Sequence, residues 1–162
     1  MFGLNKKNNT IVDLMAPISG KIIDITEVPD QVFSKKMVGD GIAIEPTNGL
    51  VVSPCNGTVV LVFGTNHALG IQTREGIEIL IHMGIDTVEL KGKGFKRLTE
   101  TGMEVKTGDV LMEMDLDKIK SMGKLTVTPV IITNPNMAEA IEKNFGMAEA
   151  IKDKIMEIKL KK

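Results

Sequence analysis

The stretch G-I-E-I-L-I-H-M-G-I-D-T-V-E-L, residues 76–90, decides how this chain is read. Ile77, Ile79 and Ile81 recur at every second position, the period of a strand with one buried face. Glu78, Leu80 and His82 fall on the other face. An all-isoleucine face belongs to a core. His82 therefore sits on the mixed face, closer to solvent and within reach of a ligand or partner.

The other histidine, His67, stands fifteen residues earlier in T-N-H-A-L-G-I-Q-T, which reads as the preceding strand. A hairpin turning at Arg74-Glu75-Gly76 pairs residues whose numbers sum to about 149, setting His67 opposite His82. Directly opposite side chains share a face, with Cβ atoms about 5 Å apart. An imidazole with an ordinary pKa near 6.5 is mostly neutral at cell pH and offers one ring nitrogen as a nucleophile. A second ring donating N–H can hold the oxygens of the charged group that the first accepts. The same pair also suits a polar seam or a zinc site, although zinc needs a third ligand. Asp86 either supports His82 as a nearby carboxylate or caps the following turn. Thr65 either orients His67 through its hydroxyl or is an ordinary strand threonine.

The rest of the chain sets the fold around this pair. Sixteen glycines and six prolines punctuate short runs rich in Val, Ile and Thr, the texture of many short strands joined by turns. Strands are expected near 10–15, 18–26, 37–45, 49–53, 57–63, 66–73, 76–83, 109–115 and 125–133. Asp40-Gly41, Asn48-Gly49, Asn56-Gly57 and Glu75-Gly76 mark turns. The expected fold is all-β: one antiparallel β-sandwich, barrel-like, over 1–162, with residues 1–10 a flexible lead-in. M-A-E-A-I occurs at 137–141 and again at 147–151. Local propensity makes 137–153 one or two short helices broken near Gly146, before a closing strand in I-M-E-I-K-L.

Composition excludes several classes. A chain of 162 residues with net charge -1 and pI near 6.1 has no net basic field, so nucleic acid and anionic lipid are not expected as main partners. One cysteine, Cys55, allows no internal disulfide, and M-F-G-L-N-K-K-N-N-T lacks the apolar run of a signal peptide. A cytoplasmic monomer without a membrane span is expected. Phe2 and Leu4 beside Lys6 and Lys7 suit either a weak surface anchor or a frayed end.

Several longer segments carry a resemblance. P-D-Q-V-F-S-K-K-M-V-G-D-G (29–41), S-P-C-N-G-T-V (53–59), T-N-H-A (65–68), I-L-I-H-M-G-I-D-T-V-E-L-K-G-K-G-F (79–95) and V-K-T-G-D (105–109) resemble, in order, the glucose-type IIA component of the bacterial phosphoenolpyruvate-dependent sugar phosphotransferase system. The resemblance implies a phosphoryl carrier with a β-sandwich fold and no cofactor. Such a carrier takes a phosphoryl group from the phosphohistidine of HPr and passes it to a cysteine of a IIB domain. By position, His82 matches the histidine phosphorylated at Nε2, and His67 the one that holds the phosphoryl oxygens. Thr65 matches the threonine that orients His67, Asp86 an acidic residue near the site, and Gly84 the carbonyl that fixes the His82 tautomer. An apolar partner surface is expected around the histidines from Val32, Phe33, Met37, Val38, Phe63, Leu69, Leu80, Met83 and Val88, with Leu80 and Met83 standing where many relatives carry phenylalanine. A regulatory binding role for the same surface is the alternative, with zinc shared between His67, His82 and a partner carboxylate. The M-A-E-A-I region has no counterpart in the resemblance, and the sugar is not readable.

Two other readings compete. A-P-I-S-G-K-I and V-K-T-G-D-V-L-M-E-M-D-L-D-K-I resemble biotinyl and lipoyl carrier domains, which would put a swinging arm on Lys118; such lysines occupy a hairpin tip, and D-L-D-K-I-K is helix-prone. A zinc peptidase of the lysostaphin type needs more histidines than the two present. Cys55, in S-P-C-N-G, is expected to be a small buried or turn thiol.

Overall fold

A computed structural model describes residues 11–162, whose strands form three sheets with antiparallel pairing. The alternatives for Phe2, Leu4, Lys6 and Lys7 lie outside the described residues.

The first strands are β1 (Ile11–Met15), β2 (Gly20–Asp24), β3 (Asp40–Pro46), β4 (Leu50–Val52), β5 (Gly57–Val62), β6 (Ala68–Thr73) and β7 (Glu78–His82). They continue with β8 (Phe95–Arg97), β9 (Glu104–Val105), β10 (Val110–Met114), β11 (Thr128–Ile132), β12 (Ala138–Lys143), β13 (Gly146–Ala148) and β14 (Lys154–Leu160). The main sheet runs β13-β2-β3-β11-β7-β6-β5-β9, with smaller sheets β1-β14-β12 and β4-β10-β8. β7 thus lies inside the main sheet, paired on both edges.

Alternation along β7 places the residues as its sequence suggests. Ile79 and Ile81 are buried, Glu78 is exposed, and Leu80 and His82 are half-buried. Ile79 and Ile81 join Ile42, Ile44, Leu69, Ile71, Val130 and Ile132 in a core completed by Val12, Leu14, Leu111, Met112, Ile155, Met156 and Ile158 of the smaller sheets. Each such side chain removed from water stabilises the fold by about 1.5–3 kcal/mol. The opposite face carries a second, smaller cluster of Ile25, Val28, Phe33, Ala43, Ile85, Val127 and Ile131, with Leu80 packed against it. A short helix, α1 (Gln31–Ser34), closes this cluster. Asp30 caps α1 by accepting from the Val32 N–H at 2.9 Å.

The final quarter differs from expectation. Residues 137–153 form no α-helix: β12 pairs with β14, Ile141 opposite Ile158, and β13 pairs with β2, Met147 opposite Lys21. Cross-strand partners override the Ala/Glu helix propensity of M-A-E-A-I. Lys143 reaches Asp40 at 2.8 Å and ties the end of β12 to the start of β3. Among the described residues the α-helices lie elsewhere, at α1 and α2 (Leu116–Ser121). β8 and β9, three and two residues long, carry too little alternation to be read in advance.

Candidate functional site

The β6–β7 hairpin brings the histidines together, by a register one residue from the expected one. His82 lies opposite Ala68 and Gln72 opposite Glu78, so paired numbers sum to 150. The turn has three residues between Thr73 and Ile77, whose backbones bond at 2.9 Å, and Gly76 takes φ +96, as a turn closed by a left-handed glycine requires. Strict alternation would then put His67 and His82 on opposite faces. His67 escapes because it precedes β6, leaving a turn in which Asn66 has φ +60. Its carbonyl still accepts from the Met83 N–H at 2.7 Å, yet its ring meets His82 edge-on, centroids 5.1 Å apart.

Each ring is held from behind. His82 Nδ1 lies 2.7 Å from the Gly84 carbonyl oxygen. A carbonyl only accepts, so Nδ1 carries the proton and Nε2 keeps a bare lone pair. His67 Nδ1 lies 2.6 Å from the Thr65 hydroxyl, in a turn rather than a strand. Phe33 tilts against His82 at 4.9 Å and Phe63 stands edge-on to His67 at 5.2 Å, so a phenylalanine flanks each imidazole.

Electrostatics keep both rings neutral near pH 7. Burial, with a smaller effect of His82, pushes the His67 pKa down from 6.5 to about 4. Burial also lowers His82, opposed by the Gly84 carbonyl and by the Asp30 and Asp86 carboxylates. Asp86 does not cap the turn after β7, Thr87–Leu90: it has φ +57 and its side chain makes no capping bond. It acts on His82 through space. Asp30 was not anticipated as a site residue, although an aspartate ahead of Q-V-F is a recognisable helix cap.

The expected apolar surface divides in two. Val32, Met37, Phe63 and Val88 are exposed and Val38 and Leu80 half-buried. Leu69 and Met83 are fully buried and Phe33 is 6% exposed, so these three are corrected to core residues. Met83 continues the Ile79–Ile81 face, and Leu69 pairs with Ile81 on that same face. Exposed Val60 was missed; its Cγ2 borders the space beside Gly70, at 3.4 Å from where a Cβ there would lie.

Two of the competing readings meet the structure directly. Among the described residues no group of three or more His, Cys, Asp or Glu side chains is arranged to hold a metal ion. Lys118 is within α2, not at a hairpin tip. Cys55 is buried, and burial pushes its thiol up to about 12. No helix of the described residues is long and apolar enough to cross a membrane.

Residues 12–138 match the family described as phosphoenolpyruvate-dependent sugar phosphotransferase system, EIIA 1. The chain belongs to that family. It is similar to the glucose-specific EIIA component of Borreliella burgdorferi, 45% identical over 143 residues covering 88% of this chain and 76% of that protein. The glucose-specific EIIA component of Haemophilus influenzae is 41% identical over 159 residues, covering 98% and 96%. That span includes the M-A-E-A-I region, which therefore has a counterpart in an EIIA relative. The solved structure of glucose permease IIA from Mycoplasma capricolum superposes with a TM-score of 0.83 at 37% identity, covering 93% of this chain and 97% of that one.

Proposed function

We propose that this EIIA chain is a cytoplasmic phosphoryl carrier that accepts a phosphoryl group on His82 Nε2 from phosphohistidine of HPr and delivers it to a cysteine of a IIB domain. The observation that carries this reading is the 2.7 Å contact between His82 Nδ1 and the Gly84 carbonyl, which leaves Nε2 unprotonated on a half-exposed ring.

The His82 Nε2 lone pair attacks phosphorus, the Nε2–P bond forms, and the donor's N–P bond breaks, returning its electron pair to the donor imidazole. The His82 ring gains positive charge as this bond forms. The Gly84 carbonyl and the Asp30 and Asp86 carboxylates stabilise that charge. With Thr65 donating to Nδ1, His67 presents an Nε2–H to the phosphoryl oxygens. In the second transfer a partner thiolate attacks phosphorus and the Nε2–P bond breaks. Positioning and charge stabilisation suffice for both steps. An open sheet face admits each partner's nucleophile. Exposed Val32, Met37, Phe63 and Val88 supply apolar contact around it.

The test is intact-mass analysis after mixing the protein with phosphoenolpyruvate, enzyme I and HPr. One acid-labile phosphoryl group is expected on the wild type and on His67→Ala, and none on His82→Ala. The His67 variant is expected to deliver it to a IIB domain at least about 100-fold more slowly, the scale of losing a preorganised donor. An unphosphorylated wild type, with HPr itself phosphorylated, would leave only the binding role.

A further inference from the structure

The Gly84 carbonyl that selects the His82 tautomer belongs to a residue with no side chain to hold it. Glycine takes either sign of φ readily, so the φ of +83 at Gly84 is imposed by its neighbours. Two groups impose it. The peptide after Gly84, which contains the carbonyl facing His82, donates its Ile85 N–H to the Leu125 carbonyl at 3.1 Å. The peptide before it is held through the Met83 carbonyl, which accepts from the Thr87 hydroxyl at 2.7 Å. Thr87 is completely buried. Its Cγ2 occupies the flank of Gly84, only 2.5 Å from where a Cβ on that residue would lie.

We infer that Thr87 is a positioning residue for phosphoryl transfer: its buried hydroxyl clamps the Met83–Gly84 peptide, aims the Gly84 carbonyl at His82 Nδ1, and thereby keeps Nε2 bare. The inference rests on the reading of His82 as the phosphoryl acceptor, because only an acceptor needs that nitrogen free. A threonine serves here because one side chain provides both parts of the clamp. The hydroxyl holds the carbonyl, and the methyl blocks the path by which the glycine would relax. Without the hydroxyl, the Met83 carbonyl is buried without that partner, and the 83–84 peptide turns to find another. Rotation at Gly84 then carries its own carbonyl away from the ring. Thr87, fully buried, is no part of the docking surface, so partner binding reports on a different property.

The experiment measures ring-nitrogen chemical shifts of the unphosphorylated protein by long-range 1H–15N NMR. The wild type, Thr87→Val and Thr87→Ser are compared, alongside phosphoryl acceptance by the wild type. Thr87→Val keeps the shape and removes the hydroxyl. Its ratio of Nδ1–H to Nε2–H tautomer at His82 is expected to fall about tenfold, the scale of one hydrogen bond, while Thr87→Ser keeps the wild-type ratio. Should Thr87→Val fail to fold, Thr87→Cys, with its weak donor, replaces it and is expected to shift the ratio in the same direction. An unchanged ratio in the folded variant, or a wild-type His82 found as the Nε2–H tautomer, overturns the inference. The two readings fail separately. Phosphorylated wild type with an unchanged variant ratio removes the role of Thr87 and leaves the carrier. A shifted ratio in a protein that accepts no phosphoryl group leaves the clamp and removes the carrier.

Discussion

Burial lowers the proton affinity of both imidazoles, and at the scale of single residues it does so most at His67. His67, 5% exposed, is held neutral down to about pH 4, whereas at half-exposed His82 the lowering by burial is partly offset by the Gly84 carbonyl and two carboxylates. A histidine whose folded pKa lies below its unfolded value binds fewer protons when folded. Its stabilising contribution is full above pH 6.5 and is lost as pH falls toward about 4. Urea unfolding of the wild type is therefore expected to lose up to roughly 3 kcal/mol between pH 7 and pH 4 from His67, a loss that shrinks in His67→Gln. A dianionic phosphoryl group on His82, as proposed, is expected to raise the His67 pKa, which the 15N shifts of its ring followed against pH would show. Much of this site was legible at residue scale, because alternation in I-E-I-L-I-H places one histidine off the core face. Asp30 was not, since its charge reaches His82 from another element through space.

Loops rather than strands set the site geometry at the scale of elements. Sequence placed β7 and the Arg74-Glu75-Gly76 turn correctly, but ran the preceding strand back over His67, where β6 begins only at Ala68, and set the pairing sum one short. A three-residue loop shifts the register to pair His82 with Ala68. The histidines meet all the same, because the turn before β6 frees His67 from strand alternation, and periodicity is blind to such a turn. Arg97 holds it: Nε donates to Asn66 Oδ1 at 2.7 Å, and a terminal guanidinium nitrogen to the Phe63 carbonyl at 3.1 Å. Arg97→Met is expected to raise amide exchange at Asn66 and His67 and to slow onward phosphoryl transfer. Its cost in global stability should be about 1–3 kcal/mol, and exchange at β7 core amides should rise only in step with that. Unchanged exchange in the turn would remove the assigned role. The same limit explains the C-terminal stretch: M-A-E-A-I has good local helix formers, and only the partners β14 and β2 turn it into strands.

The main sheet explains, at the scale of the whole molecule, why the site is a surface and not a pocket. One face is sealed by the smaller sheets, and the other is covered only in part by α1 and the cluster around Ile131. His82 lies at the end of β7, half-buried beside Phe33 of α1. The all-β class and most strand positions were readable because alternating isoleucines and valines demand a buried face. Which apolar residues face a partner was not. Leu69, Met83 and Phe33 are as apolar as Val32 and Met37, and only register and helix placement send the first three inward. All of this geometry converges on a single free nitrogen. The most direct measurement is 31P–15N correlated NMR of the protein phosphorylated through HPr with ring-labelled histidine. One phosphorus coupled to His82 Nε2 is predicted; coupling to Nδ1, or to either nitrogen of His67, would contradict the account.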